Sequence, residues 1–136
     1  MRHLSLYDCK NWLNDETLKK IGWVCPNLQI LKVHCFPPHL LHPLKEGIGD
    51  IMINCASTLR YLDISRLFEV YNVFRREHSE QLTMANLKTL KVRGTRINDE
   101  EMGMIGKRCP RLQCLDISRC LSITSKGVKE IGRAHV

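Results

Sequence analysis

The amino-acid sequence predicts a single right-handed α/β solenoid of about five units, with a parallel sheet on its concave side and helices on its convex side. Three observations predict it. A six-residue pattern, apolar-x-x-Leu-x-Leu/Ile/Val, recurs five times: from Met1 to Leu6, Leu28 to Val33, Leu59 to Ile64, Leu87 to Val92 and Leu112 to Ile117. Its central leucines, Leu4, Leu31, Leu62, Leu90 and Leu115, are separated by 27, 31, 28 and 25 residues. Self-similarity at such a spacing marks units that cannot bury an apolar face alone and must stack. Second, cysteine recurs in two registers around that pattern. Third, the stretches between copies carry apolar residues three and four apart, the period of a helix with one buried face.

Each element follows from these periods. Alternation in Leu4-Ser5-Leu6 or Leu62-Asp63-Ile64 sends the leucines to one face of a short strand and the intervening side chains to the other. The first helix is predicted from Asp15 to Val24, with Leu18 and Ile21 inward. A second runs from Leu44 to Asn54 with Ile48 and Ile51 inward, and a third from Asp99 to Arg108 with Met102 and Ile105 inward. A fourth runs from Ser125 to Arg133 with Val128 and Ile131 inward. Asp15, Asp99 and Ser125 are suitable N-caps, and Glu16 complements the positive helix end. Two connections depart from the rhythm. Phe36 to Pro43 holds three prolines and reads as a loop that delays the second helix. Phe68 to Gln81 is extra length, with a longer helix around Asn72 to Thr83; such an insertion is either a binding loop or tolerated surface.

The cysteine registers carry a resemblance. Cys25-Pro26-Asn27-Leu28 and Cys109-Pro110-Arg111-Leu112 share Cys-Pro-x-Leu, while Cys55 and Met84 take nearly the same place in other copies. Three residues after each pattern stand Cys9, Phe36, Leu67, Thr95 and Cys120, the slot that faces inward beneath the strand. This doubled register resembles the cysteine-containing subclass of leucine-rich repeats. The stretch from Cys109 to Gly132 resembles the repeats of F-box/LRR proteins most, and the resemblance covers essentially the whole chain. It implies one domain over residues 1–136, with repeats at about 1–24, 25–54, 55–83, 84–108 and 109–136. By this resemblance the chain is the substrate-receptor part of an SCF-type ubiquitin ligase, holding a substrate protein on the concave face. A Skp-type adaptor enters only through an F-box in a longer parent, because the first repeat is already under way at Met1. The chain therefore reads as a fragment or a truncated relative, with a scaffold or adaptor unconnected with ubiquitination as the alternative. At the start of the stack, Met1, Leu4 and Leu6 are expected to form an exposed apolar end.

Composition narrows the function classes. The chain has 136 residues, 43% hydrophobic and 26% charged, the ordinary make-up of one folded domain. No apolar run reaches the roughly 18 residues that span a bilayer, so no membrane partner is expected. Seven cysteines, an odd number without paired CxxC motifs, read as reduced thiols of a cytoplasmic or nuclear protein. Cys9, Cys25, Cys55, Cys109 and Cys120 read as packing cysteines, and Cys114 as an exposed one. The net charge of +7 permits an acidic partner. Nucleic acid is not expected, since Lys19-Lys20, Arg75-Arg76 and Lys107-Arg108 lie on separate helices without an aromatic stacking platform.

No nucleophile with its base and no glycine-rich phosphate loop stands at a recognisable spacing, so neither an enzyme nor a cofactor is predicted. His34, Cys35, His39 and His42 could hold zinc or serve a hydrolytic site, yet their spacing matches no common zinc pattern, and no metal is assigned. The candidate site is the row of side chains between the leucines. Alternation lines up His3, Ile30, Tyr61, Thr89 and Cys114, then Ser5, Lys32, Asp63, Lys91 and Asp116, then Tyr7, His34, Ser65, Arg93 and Ser118. From these, Tyr7, Lys32, His34, Tyr61, Asp63, Lys91, Arg93 and Asp116 are the predicted partner-binding residues, with Tyr and Arg the types enriched at hot spots. The competing expectation is a solvated face on which Asp63 neutralises Lys32 and Lys91.

Overall fold

The computed structural model describes residues 1–7, 13–34, 46–67 and 82–134. In chain order its elements are β1(His3–Tyr7), α1(Asp15–Val24), β2(Ile30–His34), α2(Gly47–Asn54), β3(Tyr61–Asp63), β4(Thr89–Lys91), α3(Asp99–Arg108), β5(Cys114–Asp116) and α4(Ser125–Ala134). The five strands form one parallel sheet in sequence order, β1 to β5. Leu4, Leu31, Leu62, Leu90 and Leu115 occupy one row across it. A repeating backbone device sets this register. The carbonyls of Arg2, Gln29, Arg60 and Lys88 each accept two successive N–H groups from the next repeat. The chain is therefore an α/β solenoid of the leucine-rich type.

Burial follows position in the stack. Leu31, Leu62 and Leu90, with a neighbouring strand on each side, are fully buried, whereas Leu4 and Leu115 at the ends remain partly exposed. Leu18, Ile48, Ile51, Met102 and Ile105 press down from the helices, with α1 packed on α2 and α3 on α4. The cysteine registers have separate duties. Cys25, Cys55 and Cys109 are the C-caps of α1, α2 and α3, each donating its backbone N–H to the carbonyl four residues earlier. The thiol of Cys55 also donates to the Cys25 carbonyl, tying one repeat to the previous one. Beneath the strands, Thr95 and Cys120 both direct their side chains to the Val92 carbonyl, at 2.8 and 3.0 Å. All four of these cysteines are buried, and burial pushes the Cys109 thiol up to about 12.

Several local expectations are corrected. The N-caps of α1 and α3 are Asn14 and Asn98, whose side chains accept from Thr17 and Glu101 N–H, and not Asp15 and Asp99. These aspartates instead reach forward one repeat. Asp15 Oδ1 accepts from the N–H groups of Glu46 and Gly47 at the start of α2. Asp99 accepts from Thr124 and Gly127 N–H, and from the Thr124 hydroxyl, at the start of α4. Orphan donors of one helix are thus satisfied by the preceding one. Glycine makes the approach possible, because a Cβ at residue 127 would meet Asp99 Oδ1 at 2.3 Å. In α4 it is Thr124 that accepts the Lys126 N–H, not Ser125, and Val128 faces outward instead of inward. The second helix begins at Gly47, later than Leu44. Cys9, the loop from Phe36 to Pro43 and the insertion from Phe68 to Gln81 lie outside the described residues, while Leu82 and Thr83 are not helical.

Candidate functional site

Strand alternation presents a second set of rows on the sheet face opposite the helices. His3, Ile30, Tyr61, Thr89 and Cys114 share one row and Ser5, Lys32, Asp63, Lys91 and Asp116 the next, while Tyr7 pairs with His34 beyond them. Ser65, Arg93 and Ser118 follow just past the ends of the three-residue strands. All eight predicted partner-binding residues therefore stand on this face or its margin. They are spread over neighbouring strands, and several of their side chains meet across the strand boundaries.

Two clusters form. In the first, Tyr7 stacks on His34 with ring centroids 5.3 Å apart and nearly parallel planes. His34 Nε2 lies 3.3 Å from Asp63 Oδ2, while the other Asp63 oxygen accepts the Ser65 N–H. Asp63 is buried by these contacts. The second cluster centres on Tyr61. Lys32 reaches over its ring from β2 and Lys91 from β4, with ammonium groups 5.1 and 5.5 Å from the centroid. A hydrogen bond with Tyr61 pushes the Lys91 ammonium above its ordinary value. Asp63 adds attraction to Lys91, as the neutralisation reading expects, but its oxygens are directed to His34 and the Ser65 N–H and it makes no ion pair with either lysine among the described residues. Two cations beside one ring are held by its negative face, and neither makes an ion pair among the described residues.

Arg93 and Asp116 complete the site. The Ser118 hydroxyl and backbone N–H donate to Asp116, holding its carboxyl below the usual carboxylate range, with Arg93 and Lys91 adding attraction. Arg93 is half-buried, and its Nε is enclosed without a hydrogen-bond acceptor among the described residues. The turns that leave the strands hold what the alternation argument missed. Arg66, Gly94 and Arg119 occupy equivalent places and all have positive φ, at 66°, 68° and 57°. Arginine in that region is uncommon, and aligning Arg66 and Arg119 with Gly94 would have been the signal. Arg66 N–H donates to the Arg93 carbonyl, so an arginine margin borders the face.

Among the described residues no group of His, Cys, Asp and Glu is placed to hold a metal ion; Cys35, His39 and His42 lie outside them. No described helix is long and apolar enough to cross a membrane. A shallow groove of about 250 Å³ lies at the β5 end, between Leu112 to Leu115 and the Ile131-Gly132 segment of α4. At the other end Met1 is exposed while Leu4 and Leu6 are half-buried.

Stacked strand-helix units with inward leucines and a side-chain-lined sheet give the chain a leucine-rich-repeat fold, one whose domains generally bind protein partners. Residues 108–132 match the family model described as Leucine Rich repeat. More particularly, the chain resembles the F-box/LRR-repeat proteins: it is 25% identical over 126 residues to F-box/LRR-repeat protein 4 of Bos taurus. That match takes in 90% of this chain and 19% of the relative, so the chain spans about a fifth of the length of the curated relative it matches.

Proposed function

We propose that the chain is a substrate-recognition domain, capturing a protein on the concave sheet face in the manner of the receptor part of an SCF-type ubiquitin ligase. One observation supports the reading: Tyr7, Lys32, His34, Tyr61, Asp63, Lys91 and Asp116 line one face of the parallel sheet, with Arg93 just past the end of β4. A scaffold that already satisfies its backbone can offer such side chains with little ordering on binding. The chain acts by holding a target and not by catalysis, as a single domain of five repeats over residues 1–136. A Skp-type adaptor is recruited through an F-box elsewhere in a longer protein. Buried free cysteines fit a cytoplasmic or nuclear site of action.

The test places a photo-crosslinking side chain at Thr89 on the sheet face or at Lys129 on the helical side, in cells expressing the chain. Adducts are expected from position 89 alone. Arg93→Glu should abolish them, and because Arg93 is half-buried a circular-dichroism melt checks that the variant still folds. Equal adduct patterns from both positions, or adducts indifferent to Arg93→Glu, overturn the reading. Co-purification of a Skp-type adaptor with a longer parent, lost on deletion of its upstream part, separates a ligase receptor from a plain scaffold.

A further inference from the structure

The charges on the sheet face are arranged unequally. Its two carboxylates are committed locally: Asp63 to His34 and the Ser65 N–H, Asp116 to the Ser118 hydroxyl and N–H. The cations are held less tightly: Lys91 has its hydrogen bond with Tyr61 and, with Arg93, an attraction to Asp116, while neither lysine makes an ion pair among the described residues. Lys32 and Lys91 come from strands on either side of β3 and converge over the one Tyr61 ring, where each raises the potential at the other. Beside them, Arg93 encloses an Nε donor that no acceptor among the described residues meets. Arg66 and Arg119, held at positive φ where glycine stands in the equivalent turn, extend the cationic margin.

We propose that the partner segment bound here is acidic: a carboxylate-bearing stretch of another protein, seated over Tyr61 between the Lys32 and Lys91 ammonium groups and reaching Arg93. This deepens the recognition reading above and rests on it. A carboxylate between two ammonium groups accepts charge-assisted hydrogen bonds from both and relieves their mutual repulsion. The Tyr61 ring beneath supplies an apolar floor that excludes water on one side, which strengthens those bonds. A peptide fits better than a nucleic acid, because the exposed Tyr7 ring is already stacked on His34 and offers no row of free rings to bases.

The test uses the full chain and a fluorescein-labelled peptide alternating glutamate with alanine, followed by anisotropy at low and moderate salt. Binding is expected for this peptide and not for its glutamine counterpart. Lys32→Gln with Lys91→Gln should weaken it about tenfold or more. The charge-matched pair Lys19→Gln with Lys129→Gln, on the helical side, should leave it unchanged, and circular dichroism checks that both pairs fold. No binding of the glutamate peptide, equal loss in both pairs, or equal or tighter binding of an oligothymidylate overturns the proposal. If the Thr89 adducts persist while the glutamate peptide is ignored, the recognition face stands and only its acidic preference falls. If both are absent, both readings fall.

Discussion

Leu90→Ala and Leu115→Ala remove the same three carbons from the same repeat position, and they differ in what lies beyond. Leu90 is fully buried, with Leu62 on one side and Leu115 on the other. Transfer of its lost carbons amounts to about 2.4 kcal/mol at roughly 0.8 kcal/mol each. The closed cavity left between two strands raises the expected loss to about 3 to 5 kcal/mol. Leu115 is partly exposed and borders the open groove at the end of the stack, so water or a small shift of α4 can fill the space. Its loss should be about 1 to 2 kcal/mol, on the reasoning that exposed carbons recover less on burial. Urea unfolding monitored by circular dichroism measures both, with the slope checked for constancy. A loss at Leu115 equal to or larger than that at Leu90 would refute the claim that each repeat is stabilised by neighbours on both sides.

The remaining predictions concern caps and thiols. Gly127→Ala sets a methyl group against Asp99 and should destabilise by about 1 to 3 kcal/mol, as overpacking does. Gly132→Ala on the same helix meets nothing within 4 Å and should stabilise by about 0.5 to 1 kcal/mol; thermal unfolding that ranks them alike contradicts the inter-repeat contact. The Thr124 hydroxyl, ahead of the Thr124 and Gly127 N–H groups, holds the Asp99 carboxyl below its ordinary value of 3.8. Because the folded value is depressed, its contribution is complete above that ordinary value and is lost as pH falls through the folded one. Asp99→Asn should therefore flatten the acid side of the melting-temperature profile, and identical acid slopes in both proteins would count against it. Finally, iodoacetamide at neutral pH should modify Cys114 before Cys25, Cys55, Cys109 or Cys120, read by peptide mass mapping. Early labelling of Cys109 would be incompatible with its burial.

Periodicity alone determined the stack. A strand has only two faces, so Leu-x-Val in Leu31 to Val33 or Leu90 to Val92 commits the leucine and valine to the core and Lys32 or Lys91 to the open side. Repetition of the pattern then aligns equivalent residues on neighbouring strands, which is why the rows on the sheet were readable in advance. Helix capping was readable only in part, because Asn14 and Asp15 are both good caps and backbone dihedrals choose between them. The tripeptide Asn-Asp-Glu at the start of α1 and again at the start of α3 held a signal for the forward-reaching aspartates, but their acceptor role depends on a helix one repeat away.

What tertiary structure alone decided is the choice among competing partners. Composition offered Asp63 two lysines, yet His34 on the adjacent strand end and the Ser65 N–H lie in reach of its oxygens, and the lysines turn to Tyr61. Val128 fits a helical apolar stripe, but which edge of the stripe touches the sheet depends on how α4 sits against α3. Period sets the face a side chain belongs to; distance, rotamer and the competition for each hydrogen bond set what it meets there, and those are fixed only when the repeats are stacked.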